Sequence, residues 1–121
     1  MIYQGDEIDL QFKYSFKNKE IILYSWSLCN YEEYGDYEIF PSESLDIDLK
    51  SINDNIIKNN ISVSLLNDKF ILFIFENTEI TLYTTGRAVL EHVAPDTHEK
   101  ALEIYCISLK MSRLAINQKS F

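Results

Sequence analysis

Residues 70–75, Phe-Ile-Leu-Phe-Ile-Phe, are apolar at six consecutive positions, in a chain whose other extended segments alternate. Successive side chains of a strand point to opposite faces. A strand with one wet face therefore alternates, and one that is apolar throughout is covered on both sides. The sequence thus predicts a layer on each side of this strand, supplied by the chain itself or by a partner.

The flanking segments read as further strands. Ile8, Leu10, Phe12, Tyr14 and Phe16 alternate with Asp9, Gln11, Lys13 and Ser15, the pattern of a half-buried strand. After the polar break Lys17-Asn18-Lys19-Glu20, residues 21–29 form the second arm of a hairpin. Residues 30–44 read as a long loop, Leu45–Leu49 as a short strand, and Ile61–Leu65, Phe70–Phe75, Ile80–Thr84 and Ala88–Val93 as four more. Gly86 supplies the positive φ that the last hairpin needs. Residues 51–60 have Ile52, Ile56 and Ile57 at helical spacing. Four asparagines limit any helix there to one or two marginal turns.

One long helix is expected. It opens at Asp96-Thr97-His98-Glu99, an N-cap acceptor followed three residues later by Glu, and runs to about Ala115. Leu102, Tyr105, Cys106 and Leu109 form one apolar stripe; Ile104, Ile107, Met111 and Leu114 form another. So wide an arc exceeds what one sheet face requires. Residues 51–60 and the first hairpin can cover the excess internally; otherwise two copies bury it in a homodimer. The expected fold is α+β: a mainly antiparallel sheet of six or seven strands with a long C-terminal helix on it, as a single domain over residues 1–121.

Nineteen acidic residues against 11 basic ones give a net charge of −8. Such a surface repels nucleic acid and anionic membranes and attracts basic macromolecules. Tyr31 to Asp48 concentrates this charge, with seven acids and no base. Tyr31, Tyr34 and Tyr37 recur among Glu32, Glu33, Asp36 and Glu38, and these seven residues are the candidate partner-binding site. Tyrosine offers contact area at low entropy cost, and carboxylates steer association. The competing reading is a solvated loop whose tyrosines fold back on the sheet. Calcium-loop spacing is absent, so no metal is expected.

Nothing in the chain points to catalysis. His92 and His98 can approach each other at the strand-to-helix corner, with Asp96 and Glu99 nearby, but the reading is structural. No nucleophile elbow or Gly-rich phosphate loop accompanies the available side chains. Lys13, Lys17 and Lys19 read as a solubilising device on the first hairpin. Cys29 and Cys106 read as buried free thiols without C-x-x-C spacing. No signal-peptide pattern or membrane-length apolar run occurs, so a cytoplasmic protein without a cofactor is expected.

The segment ITLYTTGRAVLEHVAPDTHEKALEIY, within residues 61–115, resembles the tail of small modules built on the TATA-box-binding-protein fold. In these a hydrophobic strand, a Gly-Arg or Gly-Lys hairpin, a second strand and an Ala-rich helix recur. The resemblance implies an antiparallel sheet with a helix on it and, as an alternative function, a nucleic-acid-associated module. The favoured expectation is a non-enzymatic inhibitor or immunity-type protein that binds a basic partner; a subunit of a larger assembly is the third.

Overall fold

A computed structural model describes the backbone of residues 8–119 and side chains within residues 11–111. The elements are β1 (Ile8–Phe16), β2 (Lys19–Asn30), β3 (Gly35–Pro41), α1 (Leu49–Lys58), β4 (Val63–Leu66), β5 (Phe70–Phe75), β6 (Thr78–Tyr83), β7 (Ala88–Val93) and α2 (His98–Lys119). The seven strands form one sheet in the order β1-β2-β3-β7-β6-β5-β4, and every neighbouring pair is antiparallel. Two meanders, each followed by a helix, are thus joined through their last strands, β3 and β7. The α+β class, the antiparallel sheet and the C-terminal helix agree with the sequence.

The turns explain how so few glycines suffice. Lys17-Asn18 (φ 53° and 65°) and Glu76-Asn77 (φ 52° and 67°) are two-residue hairpin loops with both residues left-handed. Asn tolerates that region better than other L-residues, and its presence at the second position suits this turn. Gly86 takes φ 100°, as expected.

α1 and α2 pack against each other and lie on the same side of the sheet. Between helices and sheet, Leu23, Ile39, Ile52, Ile56, Ile71, Phe73, Ile80, Leu82, Leu90, Tyr105 and Leu109 are buried in one core. The second apolar stripe of α2 is accounted for: Ile104 and Met111 are buried and Ile107 is packed against the core. Ile8, Leu10 and Leu114, also assigned to apolar faces above, lie outside the described side chains.

Several expectations are corrected. First, residues 30–44 are not one loop: only residues 31–34 are irregular before β3, which occupies an interior position of the sheet. Second, residues 45–48 join no ladder. Leu45 and Ile47 donate their N–H groups to Thr85 and Thr84 in the β6–β7 turn, Leu49 begins α1, and Asp48 caps that helix. The 10-residue α1 outruns the marginal helix expected, because burial of Ile52 and Ile56 outweighs the propensity of its asparagines.

Third, α2 is capped by Thr97, whose Oγ1 accepts from Lys100 N at 3.1 Å, and not by Asp96. Fourth, residues 70–75 are covered on one face only in the single chain. Ile71 and Phe73 are fully buried beneath the helices, whereas Phe70 and Leu72 are half-buried and Ile74 is 47% exposed. Both helices lie on the same side, so the opposite face has no layer of its own among the described residues.

Candidate functional site

The open face of the sheet collects the outward residue of every alternating pair. Ile22, Tyr24 and Trp26 of β2 adjoin Glu38 and Phe40 of β3, which adjoin Val89 of β7, Thr81 and Tyr83 of β6, and Phe70, Leu72 and Ile74 of β5. These side chains shelter one another laterally. The Tyr24 and Phe40 rings lie 5.5 Å apart, Trp26 and Phe40 6.1 Å, and Phe70 and Tyr83 5.5 Å. In the middle, Arg87 pairs with Glu38 and lies 5.0 Å from the Tyr83 ring centroid. The hydrogen bond that Arg87 Nε donates to the Glu38 carboxylate raises the Arg87 pKa above its ordinary value.

At one end of this face the sheet is reshaped by two bulges. In the β3–β7 ladder Gly35 faces Val93 but Tyr37 faces Leu90, so Glu91 and His92 together oppose Asp36. His92 takes φ 68°, its N–H donates to Asp36 Oδ1 at 3.1 Å, and its carbonyl accepts from Thr78 Oγ1 at 3.1 Å. The extra residue lets Val93 turn inward while both Glu91 and His92 remain exposed. The His92 ring lies 4.5 Å from that of Tyr34, which lies 4.8 Å from Tyr31. The second bulge, between Ser27 and Cys29 in β2, leaves Leu28 and Cys29 exposed. Cys29 is therefore not the buried thiol expected; Cys106 is half-buried, and both are free.

The seven predicted site residues divide three ways. Tyr31, Glu32 and Glu33 are exposed at the tip of the β2–β3 turn, closed by a 2.8 Å bond from Tyr31 N to Tyr34 O. Tyr34, Asp36 and Glu38 are half-buried, with Asp36 and Glu38 on the open side of β3. Tyr37 is a correction: it points inward and is buried, because it falls on the inward parity of a strand and not on a loop. Its hydroxyl donates to Asp96 Oδ1 at 2.5 Å, and Asn30 Nδ2 donates to Asp96 Oδ2 at 2.8 Å. Asp96 thus ties the turn to the start of α2.

The tip is electrostatically unbalanced. Tyr31 Oη donates to Asp36 Oδ2 at 3.3 Å; the Asp36 charge, then neighbouring Cys29, holds the phenol above its ordinary pKa. Glu79 and Glu91 are direct cross-strand partners. Among the described residues, the ion pairs use Glu38, Glu43, Glu76 and Glu103, leaving Glu32, Glu33, Asp36, Glu79 and Glu91 without a base. Sequence reading missed Glu79 and Glu91 because only the ladder brings them beside residues 31–36.

The two histidines have different neighbours, His92 lying against Tyr34. His98 sits 4.9 Å edge-on to Tyr37, with Nδ1 2.7 Å from Ser25 Oγ; Ser25 is fully buried. Among the described residues no group of three or more His, Cys, Asp and Glu side chains is arranged to hold a metal, and no helix is long and apolar enough to cross a membrane. Comparison with protein-family models, with curated proteins and with solved structures found no match.

Proposed function

We propose that this protein is a non-enzymatic binding module whose acidic, tyrosine-bearing corner docks a basic macromolecule, in the manner of an inhibitor or immunity-type protein. The observation that carries this reading is the set of carboxylates with no ion pair among the described residues, Glu32, Glu33, Asp36, Glu79 and Glu91, beside the adjoining rings of Tyr31, Tyr34 and His92. Carboxylates speed encounter with a cationic surface, and exposed aromatic faces accept arginine and lysine side chains at short range. The open face behind the corner adds apolar area that a partner can cover.

The test uses the Glu32→Lys/Glu33→Lys variant, since both residues are exposed and make no hydrogen bond among those described. A synthetic arginine-rich peptide, and any protein captured from the native cells, should associate with it about tenfold more slowly than with the parent chain. Its binding should also depend less on salt. Unchanged association would remove this site.

A nucleic-acid module, implied by the TATA-box-binding-protein-like resemblance, would use the same aromatic face. Asp36, Glu38, Glu79 and Glu91 against Arg87 make that face repel phosphate, which favours the basic partner. Fluorescence anisotropy with duplex and single-stranded oligonucleotides at low salt decides: micromolar binding would favour the nucleic-acid reading.

A further inference from the structure

We propose that β4 is the contact strand of a homodimer, in which two copies pair their β4 edges antiparallel across a two-fold axis. β4 ends the sheet and has β5 as its single ladder neighbour among the described residues. An unpaired edge is a template for another strand, and proteins usually guard it with charge, proline or a covering element. Here the strand is Val-Ser-Leu-Leu and carries neither charge nor proline. Val63 is half-buried against the core, but the other two apolar side chains are exposed, one on each side. Leu65, paired with Leu72 on the open face, is 47% exposed; Leu66, paired with inward Ile71, is 39% exposed. Ile57 is 58% exposed on α1, the helix that packs over β4.

Charge selects the occupant. From Asn59 to Phe75 the only charged residues are Asp68 and Lys69, which cancel, in a chain of net charge −8. A basic partner drawn by the rest of the surface finds nothing to pair with here. A second copy, repelled by the acidic remainder, finds in this strip a surface it can approach without like-charge contact. Antiparallel pairing of a strand with its own copy is also closed by a two-fold axis, so the assembly stops at two. The four-residue edge places the contact in the weak, small-interface class.

Sedimentation velocity on the full chain, across concentration and at low and high salt, tests this. A monomer–dimer equilibrium is expected, and added salt should strengthen it by screening the repulsion between the acidic bodies. Binding of a basic partner has the opposite salt dependence, so either reading can fail alone. Leu65→Glu should weaken dimerisation at least about tenfold, and so should Ser64→Glu, whose exposed side chain keeps the test open if the first variant folds poorly. Leu28→Glu, a residue of matching exposure at the other end of the molecule, should leave it unchanged. A chain monomeric under all conditions overturns the proposal. So does a dimer indifferent to both β4 variants, or one lost in Ile74→Glu but kept in Leu65→Glu, which would mean stacked faces.

Discussion

Gly35 does its work through what it lacks. A Cβ built there would lie 2.1 Å from Asp96 Oδ1 and 3.0 Å from the Cys29 carbonyl oxygen, so the absence of a side chain admits the carboxylate that binds Tyr37 and Asn30. Gly35→Ala should displace Asp96, break its hydrogen bonds with Tyr37 and Asn30 and cost about 1–3 kcal/mol in urea unfolding. Adding Tyr37→Phe should then cost less than it does alone, because both changes break one network. The sequence displays this glycine and this tyrosine, but not that a residue some sixty positions away closes on them. Cys106 offers a pH-dependent counterpart. It lines a groove with Phe12, Leu102 and Ile107, and burial pushes its thiol pKa up, with Lys110 opposing. A raised folded-state pKa means its stabilising contribution is full below the ordinary thiol value and is lost as pH rises through the elevated one. Between neutral pH and about pH 10, just above the ordinary thiol range, the parent chain should therefore lose more stability than Cys106→Ala. Equal losses, compared by urea midpoint at each pH, would contradict the assignment.

At the scale of elements, what was legible was periodicity, and what was not was context. β1, β5 and β7 could be read because their alternation or apolarity is strong. β3 has period two as well, with Gly35, Tyr37 and Ile39 inward and Asp36, Glu38 and Phe40 outward. Its inward set opens with a glycine and a tyrosine and its outward set with two acids, so charge density hid the alternation. The segment Leu45–Leu49 erred the other way: Ile47 and Leu49 do point inward, but the backbone pairs only with a turn. α1 shows tertiary contacts overruling propensity. Asn55 is buried and donates to Ser51 O at 3.2 Å and to Met111 O of α2, so an asparagine that weakens an isolated helix here joins two. The start of α1 depends on Asp48, whose Oδ1 accepts from Ser51 N at 3.3 Å and Oδ2 from Ser51 Oγ at 2.7 Å. Asp48→Ala should lower global stability by about 0.5–2 kcal/mol in thermal or urea unfolding. A smaller loss would mean that packing of Ile52 and Ile56 holds the first turn without its cap.

At the scale of the whole molecule, excess negative charge opposes compactness, and its placement would tie stability to the proposed binding. Glu79 and Glu91 face each other across β6 and β7, although like charges directly opposed destabilise a sheet. A basic residue at either position would relieve the repulsion, and the fold gives no packing reason for carboxylates there: Glu91 is exposed and Glu79 half-buried. The arrangement makes sense if the corner is shaped for a cation that arrives from outside. Glu91→Lys should then raise stability by about 0.2–1 kcal/mol at low ionic strength. The gain should shrink near 1 M salt, where the Debye length falls to about 3 Å. The same variant should bind an arginine-rich peptide more weakly than the parent chain. Stability and binding moving in opposite directions would mark Glu91 as a carboxylate kept for recognition at the expense of the fold. A variant that is neither more stable nor weaker in binding would make the opposed pair incidental and return the corner to an ordinary solvated surface.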